Sequence, residues 1–243
     1  MKKVAIFAMS AVALCACDKH DPILPGERVG IFATDDVRVL NTPVPNAPEN
    51  VAEYEATDCP YKLDNQNTIW NGDKKIFAGF PTNNYVRGEK NPVCDGGFVY
   101  AGLSTGELVK VNAKTRQIAW IADVYRQSNM TGGASVLDII APIQIHGKYV
   151  YAGGLGGAFC KISVATGNIA WCAWFGVEHP FIIANDVAYV LDTDNYLNAV
   201  RTRDGAVYWR TGVANSAAPK YENKTIVVAH EKFDAESGKL LTH

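Results

Sequence analysis

The sequence predicts an all-β protein: a β-propeller of four-stranded antiparallel blades, with about four repeats present as a partial or small ring. Three observations carry that expectation. Short alternating runs such as Phe98-Val-Tyr-Ala and Leu108-Val-Lys-Val recur along the chain. Asp-Gly, Gly-Gly, Thr-Gly and Asn-Asp turns separate them. A longer segment repeats from Pro92, Pro142, Pro180 and Pro219, and its first three copies close on Trp120, Trp171 and Trp209. Alternation with period two between turn residues gives strands joined by hairpins. A period of roughly 40 residues holding four such strands gives one sheet per copy, and radial repetition of sheets gives a propeller.

The propeller region is read as residues 54–243, with blades at about 91–121, 141–172, 179–210 and 218–243 and a lone strand near 67–71, around Trp70. One sheet cannot bury both of its faces, so neighbouring blades must stack. Trp120, Trp171 and Trp209 occupy one register on the outer strands, where a large aromatic fills the gap between blades. The fourth copy is shorter and has Thr242 where the others have tryptophan. A lone outer strand and four repeats imply part of a ring: a truncated product, a small ring or arc covered by a partner, or a dimer sharing a ring.

Residues 1–16 read as a lipoprotein signal peptide. Lys2 and Lys3 give a charged start, and Val4 to Leu14 is an apolar run too short to span a bilayer as a helix. Leu14-Cys-Ala-Cys17 resembles a bacterial lipobox, which implies lipidation at Cys17. Residues 17–53 are then the lipid anchor and an extended linker rich in Pro, Asn and Asp. A periplasm-facing, membrane-anchored protein follows, at the outer membrane or, because Asp18 resembles a retention signal, at the inner one.

Composition narrows the partners. Lys and Arg number 23 against 25 Asp and Glu, for a net charge of −2. No basic run offers the concentrated positive field that nucleic acid requires, so no nucleic-acid partner is expected. With Cys15 in the signal and Cys17 lipidated, Cys59, Cys94, Cys160 and Cys172 remain for an oxidising compartment. Cys160 and Cys172 flank the Ala165-Thr-Gly167 turn almost symmetrically, which fits either a cross-strand disulfide or two buried thiols. Only parity supports pairing Cys59 with Cys94.

Linear motifs for chemistry are missing. His20, His146, His179, His230 and His243 share no pattern and read as surface or structural residues. Asp192-Thr-Asp194-Asn195 begins like a calcium loop but lacks its Gly and distal Glu, so a hairpin turn explains it better. Gly153-Gly-Leu-Gly-Gly157 lies between strands and reads as a wide turn. No catalytic residue, metal site or cofactor is expected.

The pattern carried by Asp95-Gly-Gly-Phe-Val-Tyr-Ala-Gly102, Gly106-Glu-Leu-Val-Lys-Val-Asn-Ala-Lys-Thr115 and Ala165-Thr-Gly-Asn-Ile-Ala-Trp171 resembles the repeat of the PQQ-like β-propellers, over roughly residues 65–243. Two branches share that repeat. The quinoprotein dehydrogenases resemble the chain in blade pattern only, since it has no adjacent cysteine pair, so PQQ is not expected. The outer-membrane assembly lipoproteins of the BamB family combine a lipobox, a linker and such blades in the order found here. That resemblance implies a non-catalytic scaffold for insertion of outer-membrane β-barrel proteins, with a BamA-like partner and a lipid-anchored membrane attachment. Inter-blade loops around Tyr125, Arg126 and Gln127, and around Glu178 and His179, are the candidate partner-binding positions. The alternatives are a PQQ-binding dehydrogenase-like protein and a propeller module with an unrelated partner.

Overall fold

The computed structural model describes residues 37–56, 58–86, 90–126 and 136–242. The signal region, Cys17, Asp18 and Gln127 lie outside them. Every regular element among the described residues is a strand, and the strands form five separate antiparallel sheets. Sheet I contains β1 (Lys62–Leu63), β2 (Thr68–Asn71) and β3 (Lys74–Ala78). Sheet II contains β4 (Val93–Asp95), β5 (Phe98–Gly102), β6 (Glu107–Asn112) and β7 (Ile118–Asp123). Sheet III contains β8 (Gln144–His146), β9 (Tyr149–Gly154), β10 (Ala158–Ser163) and β11 (Ile169–Ala173). Sheet IV contains β12 (Ile182–Ala184), β13 (Val187–Leu191), β14 (Tyr196–Arg201) and β15 (Val207–Gly212). Sheet V contains β16 (Lys220–Glu222), β17 (Thr225–Val228), β18 (Glu231–Asp234) and β19 (Leu240–Thr242).

Strands follow chain order across each sheet, as expected of propeller blades. The first two strands of sheets II to V are joined by two-residue turns, closed by Asp95 with Phe98, His146 with Tyr149, Ala184 with Val187, and Glu222 with Thr225. In sheet V the next hairpin is also tight, with Val228 opposite Glu231 across Ala229 and His230. That accounts for the shortness of the fourth copy, which still builds a complete four-stranded sheet.

The sheets are held together by four apolar clusters, each between neighbours. Leu63, Ile69 and Ile76 of sheet I meet Val99, Val109 and Val111 of sheet II. Tyr100, Leu108 and Trp120 of sheet II meet Val150, Ala158 and Ile162 of sheet III. Tyr151, Phe159 and Trp171 of sheet III meet Ala188, Val190 and Val200 of sheet IV. Tyr189, Leu197 and Trp209 of sheet IV meet Ile226, Val228 and Phe233 of sheet V.

Each outer-strand tryptophan lies on a glycine turn of the following sheet. A β-carbon at Gly167 would stand 2.7 Å from Trp120, and one at Gly205 2.8 Å from Trp171. Both glycines have φ of +74°, so the Thr-Gly and Asp-Gly turns serve two needs at once. The indoles also bond across the gap. Trp120 Nε1 donates to Val164 O at 3.0 Å and Trp171 Nε1 to Thr202 O at 2.8 Å. Lys110 and Lys161, opposite those tryptophans in register, donate their Nζ to the same two carbonyls at 2.8 Å. Burial depresses the pKa of both lysines, and their ammonium groups lie over the rings of Phe98 and Tyr149 at 4.1 and 4.0 Å.

The IV–V interface substitutes a different donor. Ala199 stands where the lysines would be, and the corresponding carbonyl, Ala235 O, accepts from Tyr189 Oη at 3.1 Å. Trp209 still packs over its glycine turn, 2.4 Å from a β-carbon at Gly238, but its Nε1 has no hydrogen-bond partner among the described residues.

Two expectations need correction. The strand at 67–71 is not alone: it is the middle strand of sheet I, flanked by β1 and β3. Asp64 organises that sheet as Asp192 organises sheet IV. Asp64 Oδ1 accepts from the amides of Gln66 and Thr68, and Asp192 Oδ1 from those of Asp194 and Tyr196. The Asp192 motif is therefore a turn-forming device.

The linker is the second correction. Its described residues, from 37 onward, lie along the blades instead of spanning free solvent. Leu40 N donates to Val207 O and Val207 N to Arg38 O, making an isolated parallel bridge along the outer edge of β15. Val44 N then bonds Glu236 O, and the Val44 and Ala47 side chains are buried with Trp209 and Ala235. Tyr221 Oη donates to Pro48 O and Lys224 N to Glu49 O. The scattered apolar residues of this Pro-rich stretch are what make it a strap, since they bury on contact with sheets IV and V.

Candidate functional site

The first strands of sheets III, IV and V, together with the end of the strap, line an open cavity of about 610 Å³. Pro142, Gln144 and His146 line it from sheet III, Phe181, Ile182 and Ile183 from sheet IV, and Lys220, Tyr221 and Glu222 from sheet V. Val51, Ala52, Glu53 and Tyr54 of the strap close one side. The volume falls within the range of small-molecule pockets.

Its polar groups are set by a short chain of bonds. Gln144 Nε2 donates to Phe181 O at 2.6 Å, tying sheet III to sheet IV. Its carbonyl Oε1 is thereby left to accept from His146 Nε2 at 3.0 Å. His146 lies 5.3 Å from the Tyr54 ring and 5.9 Å, edge on, from Tyr151. Burial lowers the His146 pKa from 6.5 and keeps the imidazole neutral, while it pushes Tyr151 up to about 12. The Ile145 amide donates to Tyr54 Oη at 3.1 Å.

Among the described residues no group of three or more His, Cys, Asp or Glu side chains converges to hold a metal ion. With Tyr54 seated in the cavity, the described residues that line it do not fit a quinone–calcium pair.

The candidate loop residues fall at two connections between sheets. Tyr125 and Arg126, after β7, are half-buried. The Arg126 amide donates to Gly156 O at 2.8 Å, and Tyr125 fills the space over Gly106 and Gly156. Glu178 and His179, after β11, meet Ser216 from the connection after β15. Ser216 Oγ lies 2.7 Å from His179 Nε2 and 3.3 Å from Glu178 Oε1. Glu178 also approaches the same histidine nitrogen, at 3.4 Å, so the trio lacks the acid–Nδ1 contact of a nucleophilic relay. It staples two loops. Trp174, 37 % exposed, stands beside it in the chain. Tyr125 and Arg126 and the Glu178–His179 pair are not brought into contact with each other by any described bond.

The family described as outer membrane protein assembly factor BamB matches residues 29–211, which is most of the chain. The chain belongs to the BamB family. The BamB of Moranella endobia is 24% identical over 147 residues, covering 59% of this chain and 38% of that protein. The chain thus spans about two fifths of that curated relative. The crystal structure of BamB from Moraxella catarrhalis superimposes with a TM-score of 0.54 at 15% identity, over 77% of this chain and 62% of that one. A quinohemoprotein alcohol dehydrogenase from Pseudomonas putida gives the same score and identity over 75% of this chain and 40% of its own. At such identity these two show the propeller fold alone.

Within this BamB-family chain the four described cysteines form two disulfides. Cys160 lies opposite Cys172 across β10 and β11, with Cα atoms 4.1 Å apart, and the two form a disulfide. A second disulfide joins Cys59, just before sheet I, to Cys94 on the first strand of sheet II. Ser104 N also donates to Asn67 Oδ1 between the same two sheets, and Lys90 Nζ, in the connection that joins them, lies 2.6 Å from Asp138 Oδ1 of the connection between sheets II and III. Sequence reasoning missed the cavity because its lining comes from four segments far apart in the chain. The one available signal was the proline that precedes each first strand.

Proposed function

We propose that this BamB-family chain is a non-catalytic scaffold that supports assembly of outer-membrane β-barrel proteins through protein–protein contacts. The observation that carries this reading is the family match over residues 29–211. Lipidation at Cys17 holds the protein on a membrane, facing the periplasm, and the strap that begins the described residues leads from that anchor to the blades. The partner is an outer-membrane assembly protein of the BamA type, met by the loops that carry Tyr125, Arg126 and Gln127 and by those of Glu178 and His179. The exposed Trp174 adds an apolar anchor of the kind that dominates interfaces.

The test is recovery from membranes of the native host. The tagged full chain should incorporate labelled palmitate, sediment with outer-membrane fractions and co-purify with a BamA-type protein. Cys17→Ala should abolish labelling and release the protein from membranes. Stoichiometric PQQ with dye-linked dehydrogenase activity in the purified protein, or partners unrelated to barrel assembly, would overturn the reading. Sedimentation with the inner membrane would trace instead to Asp18.

A further inference from the structure

Antiparallel strands alternate between residues that exchange both backbone bonds with the partner and residues whose amide and carbonyl point away from it. A two-residue turn closes on a bonded pair. In sheets III, IV and V those closing pairs begin at His146, Ala184 and Glu222. The residue before each, Ile145, Ile183 or Tyr221, therefore turns its amide and carbonyl away from the sheet. All three belong to the strands that line the cavity. Ile145 obeys the rule, since its amide bonds Tyr54 Oη and not the neighbouring strand.

A stretch of polypeptide already occupies one side of this space. Val51 to Tyr54 lies against the first strands, with Tyr54 supplying an acceptor to a strand edge and a ring to His146. The remaining wall is chemically suited to more of the same. Edge amides and carbonyls of Ile183 and Tyr221 lie beside the half-buried side chain of Ile182, and Lys220 and Glu222 lie at its margin. Unpaired backbone groups beside apolar side chains are what an extended peptide satisfies and what a small apolar ligand leaves unmet.

We propose that this cavity is a docking site for an extended, unfolded polypeptide segment, which pairs its backbone with the cavity-facing edges of Ile183 and Tyr221. Val51–Tyr54 acts as a tethered stand-in that covers the Ile145 edge. The inference goes beyond the scaffold reading and does not depend on it. Tyr54→Ala should leave recovery of the assembly partner unchanged, so failure of one reading is distinguishable from failure of the other.

The experiment is fluorescence anisotropy on the full chain. The probe is a short fluorescein-labelled peptide of alternating Val and Thr, beside the same peptide N-methylated at alternate amides. The unmodified peptide should bind saturably, and the methylated one about tenfold more weakly, because the side chains are kept while the backbone donors are lost. Ile183→Pro deletes one cavity-facing amide that the ladder does not use, and should weaken the unmodified peptide severalfold. Tyr54→Ala should strengthen it. Circular dichroism checks the folding of both variants, and if Ile183→Pro fails to fold, the two peptides on the unaltered protein decide. Absence of saturable binding overturns the proposal. Equal binding of the two peptides also overturns it, by showing adsorption through side chains.

Discussion

The indole N–H of Trp171 donates to the carbonyl oxygen of Thr202, one sheet further along the chain, at 2.8 Å. Trp209 occupies the same register in the next sheet with no described partner for its nitrogen. The two positions separate hydrogen bonding from packing. Trp171→Phe should destabilise by about 1–2 kcal/mol beyond the effect of Trp209→Phe, because only the first removes a buried bond. Alanine at either position should cost about 3–5 kcal/mol, from the cavity left between blades. Denaturant titration of the four variants checks both statements.

Gly205 and Gly97 give a similar contrast for turns. Their φ values are +74° and +80°, yet a β-carbon at Gly205 would strike Trp171 while one at Gly97 meets open space. Gly97→Ala should therefore cost about 1–2 kcal/mol from backbone strain alone. Gly205→Ala should cost clearly more, and thermal unfolding should rank them in that order.

The Lys90–Asp138 pair is buried, with side chains 8% and 0% exposed. Removing one partner strands the other charge. Asp138→Ala should destabilise by about 3–5 kcal/mol, whereas replacing both residues with apolar ones of similar volume should restore much of the loss. A double-mutant cycle read by denaturation measures the difference.

His146 predicts a pH dependence. Burial holds its pKa below the 6.5 of an unfolded chain, so the unfolded state binds the extra proton first. Its contribution to stability is complete above pH 6.5 and is lost as pH falls through the lower folded value. The melting temperature should decline on acidification in that window, and His146→Gln should flatten the decline. Gln144, Tyr54 and Tyr151 touch the ring, and Glu53, Lys220 and Glu222 are the charged residues that share its cavity.

What the sequence disclosed, and what it withheld, divides by the range of the interaction. The repeated blades were legible because turn, alternation and Trp–Gly spacing are local and recur. Sheet I was read as one strand, since its strands are short. Its Leu63-Asp-Asn-Gln-Asn67 turn matches Leu191-Asp-Thr-Asp-Asn195 only once the role of each aspartate is known. The strap was read as a linker because Val39, Val44 and Ala47 follow no period, and their packing depends on sheets more than 100 residues away. The Cys59–Cys94 disulfide had only parity behind it, since the proximity of the two depends on how sheet I packs on sheet II. The cavity is likewise a product of assembly, with no contiguous motif to announce it.

The strap also sets an order of events. Its anchoring partners are Val207, Tyr221, Lys224 and Glu236, so the first described part of the chain finds its place only after sheets IV and V exist. Contacts of such high sequence separation form late, after the locally paired hairpins. A chain emerging residue by residue therefore carries its own clasp unfastened until Glu236 has been made. Val39, Leu40, Val44 and Val51 remain available to chaperones throughout that interval, and closure of the clasp reports that sheets IV and V have formed.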